Sequence, residues 1–403
     1  MRFLIIPENS SLSHIDKALA MEACLTADGH EVFVAVSRER RAFLQHLGDR
    51  VRVLPDLQEI DHAGYPTVAW FRDPQRILAC IHAELDLLNE LRPDRVLGVF
   101  RFTLKASARL AEVPFDSLAC GCMLPDTSDV LGFAEGDPGL DRQRELLRYF
   151  YGYAAARISQ ALESVGLAPI ADIRVMLKGD RTFLWDFPAF SPLPELPGVT
   201  HVGPISWHRW PSQTLDLEKV LSNPRPLALL SFGTCVGSGE VASRMVHVLR
   251  SQGYQVVLAA GGQEELVAAM ADEPDVVACR FAPLHLLFPH AALLVCHGGQ
   301  LTVFEALSHR VPVLVMPFQA EQAHNGICLE RIRCGRRLTP SLHFLGHPGV
   351  YVEAFQATTD QALQGIVRSV REDACTTDGL AAAQATLSEC GGLKSLTSAL
   401  VGH

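Results

Sequence analysis

The stretch that decides the fold is His297-Gly-Gly-Gln-Leu-Thr-Val-Phe-Glu-Ala-Leu-Ser-His-Arg-Val-Pro312, preceded by the apolar run Ala291–Cys296. The apolar run predicts a buried strand, and a helical pattern begins at Leu301 after two glycines. A glycine turn that opens a helix directs unpaired backbone N–H groups and the positive end of the helix dipole at one point. Such a point binds phosphate. His297 and Thr302 flank it and can donate further hydrogen bonds.

Polar side chains that suit sugars lie just downstream of this turn. Glu305 falls one helical turn beyond Thr302, and its carboxylate suits a diol such as a ribose. A second predicted strand, residues 311–316, leads into a loop that carries Glu321 and Gln322. This pair can accept and donate hydrogen bonds to several sugar hydroxyls.

The whole segment resembles the donor-binding signature of nucleotide-sugar-dependent glycosyltransferases with the GT-B architecture. The resembled family glycosylates small lipophilic acceptors and includes macrolide, natural-product and UDP-glucosyltransferase-like enzymes. The resemblance implies that the donor diphosphate is bound by Gly233, Thr234, His297, Gly298, Gly299 and Thr302. It further implies a ribose contact for Glu305 and sugar contacts for Glu321 and Gln322. Asn325 matches a family asparagine that faces the phosphates or supports the loop.

Two of these positions have an ordinary structural alternative. Phe281 stands in Phe281-Ala-Pro283, where the family has Trp-x-Pro and stacks the aromatic ring on the nucleotide base. Taken alone, Phe281 also fits a core position, and Gly233 fits a simple strand-to-loop glycine.

Strands and helices alternate along both halves of the chain. Residues 2–6, 31–36, 95–100 and 227–232 are predicted strands, and residues 15–27 are a predicted helix. This alternation is typical of parallel, doubly wound sheets, and it predicts an α/β protein. The resemblance implies two Rossmann-like domains of this kind that face each other across a cleft. We expect an acceptor-binding domain over 1–206, a Pro-rich linker over 207–226 and a nucleotide-sugar domain over 227–385. A C-terminal helix over 386–403 is expected to pack back on the first domain.

The candidate catalytic base is His14, which follows the first predicted strand and precedes the first predicted helix. Open α/β sheets place ligands at the carboxyl ends of their strands, and an imidazole has a pKa near the working pH. The family pattern has its catalytic histidine here and a Gly-His pair at the positions of Gly29 and His30. Without that register, the better interpretation of His14 is a residue that caps or packs the helix start; with it, we favour the base.

One departure from the family concerns the partner of this base. The family commonly has an Asp at the position of Val99, and a valine cannot orient an imidazole. Either another carboxylate replaces it, with Asp16 and Asp116 as candidates, or the base is weaker, or the activity is altered or absent.

Composition limits the other classes of function. The chain has 403 residues, a formal net charge of −10 and 48% hydrophobic residues, which argues against a sequence-independent nucleic-acid binder. No apolar run is long enough for a transmembrane segment, and the apolar start is too short for a signal peptide. A cytoplasmic location and reduced thiols for the eleven cysteines are therefore expected. Cys120 and Cys122 are interpreted as packing residues.

Together the residues and the resemblance predict an inverting, metal-independent hexosyltransferase that needs no cofactor. Its donor is a UDP- or dTDP-sugar and its acceptor a small hydrophobic or aromatic alcohol, because the first half is rich in aromatic residues. No nucleic-acid partner is expected, and a homodimer is compatible with the sequence. Two alternatives stay open: a nucleotide-sugar epimerase or hydrolase on the same fold, and a non-enzymatic accessory protein that has lost its catalytic dyad.

Overall fold

The chain forms two parallel sheets of seven and six strands in the computed structural model, which describes residues 1–55, 71–207, 215–233, 238–343 and 349–402. Every strand pair is parallel. Parallel neighbours require crossover connections, and helices supply them here. The predicted α/β class with two doubly wound sheets is confirmed.

The first sheet is built from the first half of the chain, with strand order β3-β2-β1-β4-β5-β6-β7. The order reverses between β1 and β4, which makes their carboxyl ends the place where this kind of sheet binds ligands. The strands are β1 (Arg2–Pro7), β2 (Glu31–Val36), β3 (Val51–Val53), β4 (Arg95–Val99), β5 (Phe115–Ala119), β6 (Arg181–Leu184) and β7 (Val199–His201). The helices are α1 (Leu12–Ala27), α2 (Pro74–Leu91), α3 (Leu104–Leu110) and α4 (Leu140–Ser164).

The second sheet has the order β10-β9-β8-β11-β12-β13, with its reversal between β8 and β11. Its strands are β8 (Leu227–Ser231), β9 (Gln255–Ala259), β10 (Val276–Cys279), β11 (Ala291–Cys296), β12 (Val313–Val315) and β13 (Gly335–Arg337). The helices from the start of this half are α5 (Leu217–Leu221), α6 (Ser238–Ser251), α7 (Glu264–Ala269), α8 (Leu284–Leu287), α9 (Gln300–Ser308) and α10 (Ala320–Arg331). Four more helices end the chain: α11 (Gly349–Ala357), α12 (Asp360–Glu372), α13 (Ala374–Cys390) and α14 (Gly392–Val401).

The last two helices contact both halves. The Arg310 Nε donates to the Gln384 side chain on α13 at 2.5 Å, which ties that helix to the second half. α14 packs against α1, and the Arg181 guanidinium at the start of β6 donates to the carbonyl of Ala399 at 2.6 Å. Gly391, with φ +73°, makes the turn between α13 and α14. The polypeptide therefore passes from the second half to the first at the turn between α13 and α14.

Candidate active site

The carboxyl ends of the two sheets meet each other. Trp185 directly follows β6, and Gln300 begins α9 just after β11. The indole Nε1–H of Trp185 donates to Oε1 of Gln300 at 2.5 Å, and both side chains are buried. This bond joins the carboxyl ends of the strands in one sheet to those in the other. Side chains that follow β1, β4 and β6 therefore lie near the turn after β11.

The turn after β11 has room only for glycine at its two central positions. Gly298 has φ +91°, and a Cβ there would lie 2.8 Å from the carbonyl oxygen of Gln322. A Cβ on Gly299 would lie 2.5 Å from Nε2 of His297. The glycine pair thus lets the imidazole fold against the start of α9, where the unpaired N–H groups of the helix lie.

His297 occupies the space between this turn and the loop after β8. A Cβ on Gly233, which has φ +58°, would approach Cε1 of His297 to 3.3 Å. Burial lowers the pKa of His297 to about 4, and the Ser231 backbone opposes that shift only in part. The ring is therefore neutral near pH 7 and can donate one hydrogen bond without carrying charge.

The remaining predicted donor residues lie on α9 and in the segments that follow β8 and β10. Thr302 and Glu305 are on α9, three residues apart and both partly exposed. The Phe281 ring lies next to Gly262 and is 44% exposed. It is therefore not a core side chain, and its face is accessible for stacking. Thr234 lies outside the described residues.

Glu321 and Gln322 lie in the first turn of α10, so their predicted location on a loop is wrong. Oε1 of Gln322 accepts the Phe318 backbone N–H at 2.8 Å and closes the turn between β12 and the helix. Asn325 donates to the carbonyl of Gly298 at 2.8 Å and to Oε1 of Glu321 at 3.2 Å. The asparagine thus ties the Glu321 carboxylate to the glycine turn.

His14 lies within α1 and not before it, because Ser11 caps the helix three residues earlier and accepts the N–H of Ser13. Its ring stacks on Phe100, with centroids 5.2 Å apart, and lies 5.8 Å from the ring of Trp185. Phe100 follows β4 in a left-handed conformation with φ 56°, which is rare for a bulky residue. Such strain is typical of functional sites.

The His14 imidazole has a carboxylate partner that sequence reasoning missed. Nδ1 of His14 lies 3.1 Å from Oε2 of Glu8, which is buried directly after β1. Glu8 also accepts the N–H of Ser10 at 2.8 Å and its hydroxyl at 2.6 Å. Burial raises the pKa of the Glu8 carboxyl, but the bonds from His14 and Ser10 outweigh burial and leave the pKa below its usual value. Glu8 is therefore an ionised partner for the imidazole.

The two carboxylates considered from the sequence, Asp16 and Asp116, are occupied elsewhere. Asp16 accepts the backbone N–H of Trp207 at 2.9 Å. Asp116 is buried on β5 and pairs with Arg95 at 3.0 Å and Arg181 at 2.7 Å. The carboxylate that contacts the His14 ring is that of Glu8. Val99 is a fully buried strand residue. Its carbonyl accepts the N–H of Glu8 at 2.9 Å, so the two residues are neighbours at the ends of adjacent strands.

A partly buried ionic cluster joins the two halves. Arg331 on α10 pairs with both oxygens of Asp129, at 2.9 and 3.1 Å. Nε2 of His324 lies 3.3 Å from the same carboxylate and 3.4 Å from Sγ of Cys328. Burial opposes the charged ring, but Cys328 and Asp129 outweigh burial and raise the pKa of His324 to about 10. Asp129, His324 and Cys328 also have the spacing of metal ligands, although Arg331 already covers both carboxylate oxygens.

Known proteins resemble the chain in sequence and in structure. Residues 239–337 match the family model for the glycosyltransferase family 28 C-terminal domain. A PGL/p-HBAD biosynthesis rhamnosyltransferase of Mycobacterium bovis is 24% identical over 83% of this chain and 76% of its own length. The glycosyltransferase of kitacinnamycin superposes with a TM-score of 0.73 at 18% identity, covering 99% of this chain and 97% of that one. The glycosyltransferase VinC in complex with dTDP gives 0.71 at 18% identity, covering 100% and 98%.

The chain is a GT-B glycosyltransferase. Its matched domain model begins in α6 and ends in β13, so it includes the glycine turn, α9 and the Glu321-Gln322 pair.

The aromatic residues of the first half are divided between the core and the surface. Phe71, Phe102 and Phe133 are buried core residues, whereas Tyr149 is 73% exposed, and Trp70 lies outside the described residues. A cavity of about 380 Å³ lies between α4 and residues 127–131. Its lining includes Tyr151, Leu147, Arg144, Arg148, Arg174 and Asp172. The aromatic surface next to His14 is instead formed by Phe100 and Trp185.

Two smaller expectations concern packing and membranes. Cys120 and Cys122 are both buried, with Sγ atoms 3.7 Å apart, as predicted for packing residues. Across the part of the chain that the structure describes, no helix has the length and apolar character needed to cross a bilayer.

Proposed function

We propose that this glycosyltransferase moves a sugar from a UDP- or dTDP-linked donor to a hydroxyl of a small apolar acceptor, with inversion at the anomeric carbon. The observation that carries the proposal is the His14 imidazole held on the buried Glu8 carboxylate. This pair lies at the carboxyl ends of the first sheet's strands, which face the glycine turn after β11. A general base opposite a diphosphate-binding helix start is the arrangement that direct displacement requires.

The chemistry follows from the protonation states. A carboxylate can only accept, so Nδ1 of His14 carries the proton toward Glu8, and Nε2 is free to accept a proton. The acceptor oxygen attacks the anomeric carbon while its proton passes to Nε2. The bond from that carbon to the phosphate oxygen breaks, and the diphosphate leaves with the electron pair. Glu8 stabilises the resulting imidazolium.

Groups at the carboxyl ends of the second sheet's strands stabilise the leaving diphosphate. The start of α9 offers unpaired N–H groups and a positive helix end, and His297 and Thr302 add neutral donors. In this proposal these groups take the role that a divalent cation plays in other transferases. Glu305 binds the ribose, Phe281 stacks on the base, and Glu321 and Gln322 bind the sugar.

The choice of substrates has separate support. The VinC structure holds dTDP, and the Mycobacterium bovis relative is a rhamnosyltransferase, which favours a nucleoside diphosphate sugar as donor. The partly exposed ring of Phe100, which stacks on His14, favours a flat apolar acceptor.

The test compares wild type with His14→Ala on nucleotide sugars and a panel of phenolic and polyketide alcohols. We expect the variant to lose about 10²- to 10⁴-fold in kcat, the usual contribution of a general base, while donor affinity changes less than about twofold. NMR of the first-formed product should show an inverted anomeric centre. Equal rates in the two proteins would remove His14 from the mechanism, and a retained anomeric centre would contradict direct displacement. Donor consumed without acceptor would favour the hydrolase alternative.

A further inference from the structure

Trp185 is the side chain that connects the base to the donor turn. It is 4% exposed, its ring centroid lies 5.8 Å from that of His14, and Nζ of Lys17 lies 4.5 Å above its ring. Its single N–H does not face the base but crosses to Oε1 of Gln300 in the second half of the chain. One indole therefore contacts the catalytic helix with its face and the donor helix with its edge.

The bond from Trp185 begins a buried chain of hydrogen bonds. Nε2 of Gln300 donates to Oδ1 of Asn325 at 3.2 Å. Nδ2 of Asn325 then donates to the Gly298 carbonyl and to Oε1 of Glu321, at 2.8 and 3.2 Å. Gln300 is 6% exposed and Asn325 is fully buried, so these bonds are protected from water.

Trp185 sets the donor-to-acceptor direction of this series of hydrogen bonds. An indole can only donate, so Gln300 must turn its oxygen toward Trp185 and its amide N–H group toward Asn325. Asn325 must then accept with its oxygen, which leaves its N–H group for Gly298 and Glu321. If Asn325 were reversed, its oxygen would lie against the oxygens of Gly298 and Glu321, which is repulsive. The donor-only indole therefore fixes the orientation of both amides.

We infer that Trp185 is a positioning residue for the donor sugar, acting through Gln300 and Asn325 on Glu321; this rests on the proposed function. A carboxylate that receives an N–H bond on one oxygen presents its other oxygen as an acceptor. Glu321 then selects sugars that carry a hydroxyl at its contact, because a deoxygenated sugar would leave a polar group unpaired. The substrate class is thus a nucleoside diphosphate sugar with a free hydroxyl at that carbon.

The test measures binding by calorimetry, so that it does not depend on turnover. The measured quantity is the ratio of the Kd of a nucleoside diphosphate to the Kd of its sugar conjugate, using dTDP and UDP with a panel of sugars that lack one hydroxyl at a time. Trp185→Phe keeps a smaller aromatic ring at the site and removes the N–H donor. We expect this ratio to fall about three- to tenfold, the discrimination against one deoxy sugar to shrink, and the Kd of the free nucleotide to change less than about twofold.

Two further variants separate positioning from general loosening. Gln300→Glu still accepts from Trp185 but cannot donate to Asn325, so it should lose the sugar contribution while it retains the contact between the halves. Gln300→Glu also tests the inference if Trp185→Phe does not fold. Arg331→Gln, the matched control, weakens the separate ionic contact to Asp129 and should leave the ratio unchanged.

The outcomes are distinct. An unchanged ratio in Trp185→Phe or in Gln300→Glu overturns the inference, and so does an equal fall in Arg331→Gln. A wild type that binds nucleotide sugars but transfers none contradicts the proposed function and leaves the binding result to decide the role of Trp185. A wild type that binds neither nucleotide nor nucleotide sugar overturns the donor site itself.

Discussion

Replacing Glu8 by Gln should change the tautomer of His14. In the wild type, Oε1 of Glu8 accepts the Ser10 N–H, and Oε2 accepts from the Ser10 hydroxyl and His14 Nδ1. In the variant, the amide oxygen keeps the Ser10 N–H, so the new amide nitrogen faces Nδ1. It donates there, and the ring proton moves to Nε2. The nitrogen that should accept the acceptor proton is then already protonated.

The expected loss follows from the lost charge-assisted bond. Such a bond contributes about 1.5–3 kcal/mol, and each 1.36 kcal/mol is tenfold in rate, so kcat should fall about 10- to 100-fold. Donor affinity should change little, because Glu8 follows a strand of the first sheet and the glycine turn after β11 follows a strand of the second. The pH dependence of kcat should change as well, since the carboxylate no longer stabilises the imidazolium.

The assay is transfer of a nucleotide sugar to an accepted alcohol, measured between about pH 5.5 and 9, with donor affinity measured separately. Glu8→Asp keeps the charge and shortens the side chain, so it should retain more activity than Glu8→Gln. Ser10→Ala removes one donor to Glu8 but leaves the His14 contact, and a change of less than about threefold is expected. Wild-type kcat and an unaltered pH profile in Glu8→Gln would refute this account of the base.

The remaining predictions test the donor turn, the base and the ionic cluster. Gly299→Ala should abolish nucleoside diphosphate binding in calorimetry, because its Cβ would lie 2.5 Å from His297. His297→Ala should weaken the same binding by about 1–3 kcal/mol, and unchanged affinity would contradict the assigned site. Val99→Asp should lower the urea midpoint, since it buries a charge at a fully buried position and His14 already has a carboxylate. The His324 pKa is raised to about 10 from 6.5, so this histidine stabilises the fold fully below 6.5 and loses that contribution as pH rises through 10. Urea unfolding at pH 7 and 10 should reveal the loss, and His324→Asn should reduce the difference.

The donor turn was predictable because its determinants are local. A buried strand, two glycines and a helix follow each other within about fifteen residues, and each has a sequence signature. The alternation of strands and helices likewise predicted two parallel sheets. The exposure of Phe281 was not predictable from its type, since an aromatic residue fits both a core and a stacking position.

Sequence reasoning missed the partner of His14 because it looked at the position of Val99 on another strand, although Glu8 precedes His14 by only six residues. Glu8 and Val99 are about ninety residues apart in sequence, and only the pairing of β1 with β4 places them side by side. Asp16 looked suitable because it is near His14 in sequence, but on a helix a residue two positions away points to a different side. The location of Glu321 was misjudged for a different reason: α10 begins immediately after the short turn at Phe318, which Gln322 itself closes.

The pairing of β1 with β4 has a consequence for how such an active site is recognised in sequence comparisons. Val99 lies opposite Pro7, and the N–H of Glu8 continues the same ladder. Two neighbouring strand ends can therefore carry the carboxylate for one imidazole. In this chain the carboxylate follows β1, and a second one at Val99 would have no partner. A sequence comparison that inspects only the position of Val99 would therefore miss the ion pair that Glu8 supplies from the end of the adjacent strand.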